Sequence, residues 1–326
     1  MTVWYSRLLW FATCLALFVV VLGAAVRLND AGLGCPDWPG CYGELIPTAI
    51  DEADAANWPE RPVEVNKAWY EMVHRYVATT LGFSIVLIAL LAWRNRNQAG
   101  QAVKVPLLTL GVVIFQGLLG MWTVTLLLKP VIVMGHLLGG MTTLSLLGWL
   151  LLEDRRNNRS QPEPRIIPWA AMAGLVVLVC QIALGGWVSS NYAALACPDL
   201  PTCLGQWWPE QADFQEGFVM WRGLGVDYEF GILEAPARVA IHLAHRAGAI
   251  TAALVLLLVT FSYWRTANPK LRTASLFVWL ALTTQIGLGL ATVWFGLPLL
   301  VATAHNGVAA LLLLSMVNLN NTASRA

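Results

Sequence analysis

Between Thr273 and Ser324 the chain carries no Asp, Glu, Lys or Arg. That stretch is far longer than the roughly 20 helical residues that cross the hydrocarbon of a bilayer. Gly296-Leu297-Pro298 therefore has to turn it between two spans. The rest of the chain agrees: hydrophobic residues make up 57% and charged ones 12%, with a mean hydropathy of +0.62. Such a balance belongs to a membrane-embedded protein, with the bilayer as its solvent. A net charge of +1 leaves no basic surplus for nucleic acid and no acidic tail.

Further spans run over Leu8 to Val26, from near Trp69 to Trp93, Val105 to Leu128, Pro130 to Leu152, Ile166 to Ser190, and about Ala237 to Trp264. With the divided final stretch, the reading is an all-α integral membrane protein of eight transmembrane helices, with both termini on one side. The short loops carry Arg94, Arg96 and Lys104, then Arg155, Arg156, Arg159 and Arg165, then Arg265, Lys270 and Arg272, and Arg7 and Arg325 lie at the termini. This basic side is expected to be cytoplasmic, and the long loops 28–67 and 191–233 to face outward. Tryptophans near both edges, such as Trp58, Trp69, Trp207 and Trp208 against Trp93, Trp149 and Trp264, suit interfacial belts. Gly23-Ala24-Ala25 also permits a cleaved signal peptide, although the counterpart of the first helix lies mid-chain.

Halving the chain near Arg156 reveals a duplication. Cys35-Pro36-Asp37-Trp38-Pro39-Gly40-Cys41 faces Cys197-Pro198-Asp199-Leu200-Pro201-Thr202-Cys203, and Gly23 and Val26 face Gly185 and Val188. Gln116, Gly120, Thr123 and Val124 likewise face Gln285, Gly289, Thr292 and Val293. The reading is two tandem pseudo-symmetric four-helix bundles, 1–157 and 158–326, in the same orientation. Small residues such as Gly117, Gly120, Gly139, Gly185, Gly287 and Gly289 are read mainly as packing glycines, with room for a flat ligand as the alternative.

Of five histidines, four form two pairs of nearly equal separation, His74 with His136 and His245 with His305. Ionisable residues inside a membrane are costly, so they face the protein interior and mark a site. A structural zinc would require four ligands for each site. Two neutral imidazoles on facing helices, with glycines nearby, suit bis-histidine haem iron. Arg75 and Arg246 follow one residue behind and are candidates for haem propionates, or for lipid phosphate. Three residues before His74 stands Glu71, whereas the same place before His245 holds His242. A carboxylate beside a haem edge serves acid/base and electrostatic chemistry; the bland alternative is a helix-capping role. The first half thus reads as a substrate site and the second as a permanent electron-transfer site.

Cys14 and Cys180 fall within apolar helices and read as core residues. The paired cysteines, Cys35 with Cys41 and Cys197 with Cys203, lie in the outer loops with no histidine close in sequence. Disulfides are favoured there over a metal site.

Taken together, Glu71-Met72-Val73-His74-Arg75, the two Cys-Pro-Asp heptads, His136, His242-Leu243-Ala244-His245-Arg246 and His305 resemble haem A synthase, over the whole chain. The resemblance implies a bacterial inner-membrane enzyme that oxidises the C8 methyl group of haem O to the formyl group of haem A, for terminal oxidases. It implies His74 and His136 on the substrate haem, Glu71 as catalytic carboxylate, and His245 and His305 on a haem b cofactor. It implies disulfides at both cysteine pairs, haem sites toward the periplasm, water as oxygen source, haem O synthase upstream and an electron acceptor that the sequence does not identify. The competing classes are a non-catalytic dihaem cytochrome b and a haem exporter or chaperone.

Overall fold

The computed structural model describes residues 3–98, 100–157 and 167–325. Arg159 and Arg165 of the third basic loop, and Ile166, where the fifth span was expected to begin, lie outside the described residues, as does the side chain of Arg156. The helices are α1 (Val3–Leu28), α2 (Glu52–Ala56), α3 (Val65–Arg94), α4 (Lys104–Thr125), α5 (Pro130–Asn157), α6 (Trp169–Ser190), α7 (Phe214–Gly217), α8 (Ala235–Trp264), α9 (Pro269–Trp294) and α10 (Leu299–Ala323). Eight of them are long and apolar enough to cross a membrane. Among the described residues there is no β-strand, only two isolated bridges.

Several helix boundaries have a local cause. Asn268 caps α9 by accepting from the Lys270 N–H, and Pro269 follows at a position where a missing N–H costs nothing. Asp51 and Asp54 form a reciprocal capping box on α2, and Asp213 caps α7. The α9–α10 turn passes through Gly296 and Leu297, both at positive φ, before Pro298. The α4–α5 turn does the same with Leu127 and Leu128, where no glycine relieves the left-handed backbone.

The packing order is cyclic. Helix α1 packs on α3, α3 on α4, α4 on α5 and α5 on α1; α6 packs on α8, α8 on α9, α9 on α10 and α10 on α6. Across the middle α1 and α5 meet α10, and α5 meets α6. Between membrane helices there is little hydrophobic drive, so close fit of small residues matters. A Cβ on Gly148 of α5 would come within 2.7 Å of the Leu314 side chain of α10, and one on Gly186 of α6 within 3.0 Å of Leu137 of α5.

At one end of the bundle Ser6 donates to Asp154, while Glu153 accepts from Asn321 and Arg325. Ser6 of α1, Asn321 of α10 and Arg325 thus all meet the C-terminal part of α5. Cys14 and Cys180 are exposed, which corrects their reading as core residues. In a helix that is apolar on every face, hydropathy does not separate inside from outside.

Two helices, α3 and α8, have 30 residues each, about 45 Å at 1.5 Å per residue. That exceeds the roughly 30 Å of hydrocarbon, a surplus that tilt or projecting ends take up, and both carry the candidate site near their N-terminal ends.

The second long loop reaches across to the first half. Tyr228 N–H donates to the Leu127 carbonyl. Arg61 pairs with Asp227 at 2.5 Å and with Glu229 at 2.8 Å. Lys129, 1% exposed, donates to the Gly223 carbonyl, and its ammonium stands 3.7 Å from the Trp221 ring centre.

Candidate functional site

The cysteine heptads form the same compact loop twice. Asp37 accepts from the N–H groups of Tyr42 (2.6 Å) and Gly43 (3.0 Å); Asp199 accepts from Leu204 (2.6 Å) and Gly205 (3.0 Å). All four donors have positive φ, so each aspartate fills a concavity of backbone N–H groups. Cys35 is bonded to Cys41 and Cys197 to Cys203, with Cα atoms 4.6 and 4.7 Å apart.

Both loops are tied down to the following helix. The Cys35 N–H donates to Glu71 at 2.9 Å, and the Cys197 N–H donates to His242 Nδ1 at 3.3 Å. Glu71 and His242 are 5% and 4% exposed. Arg75 donates to the carbonyls of Asp37, Pro39 and Gly40 and pairs with Glu71. Arg246 donates to the carbonyls of Cys197, Asp199 and Thr202. These arginines thus brace the loops. The Nε of Arg246 is buried and has no partner, which leaves one donor for an anionic group. Glu71 does not cap its helix: it lies in the second turn of α3 and anchors the loop, and His242 does the same in α8.

One turn further along, the rings of His74 and His136 face each other, centroids 6.4 Å apart and planes at 74°. Two imidazoles that grip one metal from opposite sides, through bonds of roughly 2 Å, bring their ring centres to about 6 Å. His245 and His305 lie within electrostatic reach of each other. The donors are four imidazoles in pairs, the set that suits haem iron in a helical bundle.

Four glycines receive the four rings. A Cβ on Gly23 would meet His74 Cε1 at 3.1 Å, on Gly120 His136 at 3.2 Å, on Gly185 His245 at 3.2 Å and on Gly289 His305 at 3.0 Å. These glycines admit imidazole edges, whereas Gly117 and Gly287 face open space. Four residues before Gly120, Gly185 and Gly289 stand glutamines; sequence reasoning matched Gln116 with Gln285 in the repeat without giving them a role, and passed over Gln181. Gln116 Nε2 lies 3.1 Å from His136 Nδ1 and donates to the His136 carbonyl at 2.7 Å. Gln181 meets His245 Nδ1 at 3.0 Å and its carbonyl at 3.1 Å, and Gln285 meets the His305 ring at 3.1 Å. A recurring Gln-x-x-x-Gly was the signal that marked them.

The COX15-CtaA family model, described as cytochrome oxidase assembly protein, matches residues 6–317. A relative from Shewanella oneidensis named Heme A synthase is 44% identical, over 93% of this chain and 92% of its own length. The chain belongs to this haem A synthase family. Another relative with that name, from Halalkalibacterium halodurans, is 29% identical over 90% of this chain and 88% of its own. A third member, from Shouchella clausii, is 31% identical over 60% of this chain and 62% of its own. The family match begins within the first apolar helix, ends within the eighth and covers both disulfide loops.

Proposed function

We propose that this chain oxidises the C8 methyl group of haem O to a formyl group, yielding haem A. The observation that carries the reading is the pair His74 and His136, facing at 6.4 Å, with the buried carboxylate of Glu71 one helical turn away. The substrate iron lies between those two imidazoles. The cofactor, haem b, is assigned to His245 and His305, and when bound it supplies one-electron redox chemistry. Matched loops, glycines and helix order support a division at 157/158 into two tandem pseudo-symmetric bundles.

Methyl to formyl takes two successive oxidations, with one water supplying the oxygen, and the electrons leave to an acceptor still to be identified. Each oxidation also releases protons at the ring substituent. Glu71, held by the Cys35 N–H and by Arg75, is placed to take a proton or to direct water there. His242 occupies the same position in the other half and brings no carboxylate, which supports electron transfer rather than substrate chemistry at that site. Arg75 and Arg246 are assigned secondarily to propionates, beside their loop contacts.

The basic short loops support a cytoplasmic placement of the termini in a bacterial inner membrane, with the haem sites toward the periplasm. Haem O synthase is then the upstream partner and lipid the surrounding medium. The test is to co-express the chain with haem O synthase and analyse extracted pigments by mass. Formyl-bearing haem is the expected product. Haem O that remains unconverted, with both sites filled, overturns the reading in favour of a dihaem electron carrier.

A further inference from the structure

Three of the four histidines are held by a Gln-x-x-x-Gly pair on a neighbouring helix: Gln116 and Gly120 on α4, Gln181 and Gly185 on α6, Gln285 and Gly289 on α9. The fourth, His74, meets Gly23 of α1, but four residues earlier α1 has Val19. His74 Nδ1 is buried without a hydrogen-bond partner, and so is His305 Nδ1, but the other ring nitrogen of His305, Nε2, meets Gln285 at 3.1 Å. On α5 and α8 the residue three beyond the histidine is glycine, and it makes room for the amide: a Cβ there would lie 2.0 Å from Gln116 Oε1 at Gly139 and 2.3 Å from Gln181 Oε1 at Gly248. On α3 that place is Val77.

We infer that Gln116, Gln181 and Gln285 are positioning residues that clamp three haem ligands, and that Val19 leaves His74 as the releasable ligand through which the substrate haem exchanges. The inference rests on the site assignment under "Proposed function". A partner beside the ring nitrogen that does not bind the metal fixes the orientation of the ring. For Gln116 and Gln181 the Nε2 that meets the ring also donates to the carbonyl of the same histidine, so the amide ties the ring edge to its own backbone. Gln285 Nε2 meets the His305 ring at 3.1 Å. Valine has no such group. A resident cofactor needs both ligands held, whereas a substrate that arrives and leaves as a whole ring needs one side that lets go. Clamped His245 and His305 meet the first need, and clamped His136 opposite unclamped His74 meets the second.

The test measures haem transfer from the purified, haem-loaded protein to an excess of a haem-scavenging apoprotein. A fast phase lost in His74→Ala and a slow phase lost in His245→Ala assign the phases to the two sites; phases that survive both substitutions overturn the site assignment itself. With the phases assigned, Val19→Gln is expected to slow the fast phase about tenfold, the lower end of what an outer-shell partner typically contributes. Val308, three beyond His305, shows that a valine there tolerates the glutamine on the facing helix. Gln181→Leu is expected to hasten the slow phase by about the same factor and to shift the reduction potential of the second haem. Gln181→Glu, whose carboxylate has no N–H to donate to the His245 carbonyl, is expected not to restore retention. Slower release in Val19→Gln is a gain that misfolding does not produce. If Val19→Gln leaves the fast phase unchanged, or Gln181→Leu leaves both slow phase and potential unchanged, the clamp is overturned while the site assignment stands.

Discussion

The Cys35 backbone N–H donates to the Glu71 carboxylate at 2.9 Å, so the disulfide loop and the proposed catalytic group are one mechanical unit. In the second half the same N–H, that of Cys197, goes to an imidazole, His242. An anchor is needed at this position in both halves, and only the first half uses an anchor that also carries a negative charge.

Glu71→Gln separates the two roles. The amide oxygen still accepts from Cys35, while the charge facing Arg75 is gone. Both haems are expected to stay bound, and formation of formyl haem to fall about 100-fold or more, the range for loss of a positioned acid/base group. Haem O or an alcohol-level intermediate accumulates in the pigment extract. Normal haem A yield from this variant removes Glu71 from the chemistry.

Arg75 serves three carbonyls and one carboxylate from a planar fork. A lysine ammonium is a compact charge that does not match that spread. Arg75→Lys is therefore expected to loosen the loop although charge is conserved. Charged hydrogen bonds of this kind contribute about 1.5–3 kcal/mol each. Limited proteolysis between Asp37 and Pro47 reports it, and unchanged cleavage would show that the disulfide alone holds the loop.

Asp199 gives the second loop a pH limit. The Thr202 hydroxyl, followed by the Gly205 and Leu204 N–H groups, holds its carboxyl down at about 2. A depressed folded value means that the carboxylate stabilises the loop fully above the unfolded value of roughly 3.9. That contribution is lost as pH falls from there toward 2. Protection of the Leu204 and Gly205 amides, taken as exchange relative to the unfolded chain at the same pH, is expected to hold at pH 5 and to fall below about pH 4, whereas Asp199→Asn lowers it at every pH. Protection that does not change down to about pH 2 contradicts the role.

Much of the fold is legible in charge placement alone. The first span, read from Leu8 to Val26, is α1 at Val3–Leu28, and Gly296-Leu297-Pro298 does form the last turn. The matching α4–α5 turn is placed by Lys129-Pro130, and α5 does begin at Pro130, but the positive φ of Leu127 and Leu128 is not foreseen because no glycine marks it. Cys14 and Cys180 were misplaced because a membrane helix is apolar on its lipid face too. At the candidate site the four histidines and Glu71 stood out as ionisable groups in apolar sequence. His242 was visible but its partner was not, since a bond to the Cys197 N–H depends on how a distant loop folds back. Gln181 escaped notice because its counterpart in the repeat is Val19, so the very difference between the halves hid it.

The contact between the second loop and the first half is equally invisible in sequence, and its two cations differ in what they contribute. Arg61 pairs with Asp227, whose side chain is 48% exposed, and with Glu229. A pair as open to water as the first contributes about 0–1 kcal/mol, and Glu229, 18% exposed, is still reached by solvent. Lys129 is 1% exposed, donates to Gly223 and lies over Trp221; a desolvated cation–π contact contributes about 2 kcal/mol, and its loss leaves a carbonyl without that donor. Lys129→Ala is therefore expected to lower the midpoint of thermal unfolding in detergent clearly more than Arg61→Ala, and to open the segment around Gly223 to proteases. Equal shifts from the two variants would place the loop's attachment at the exposed pairs instead.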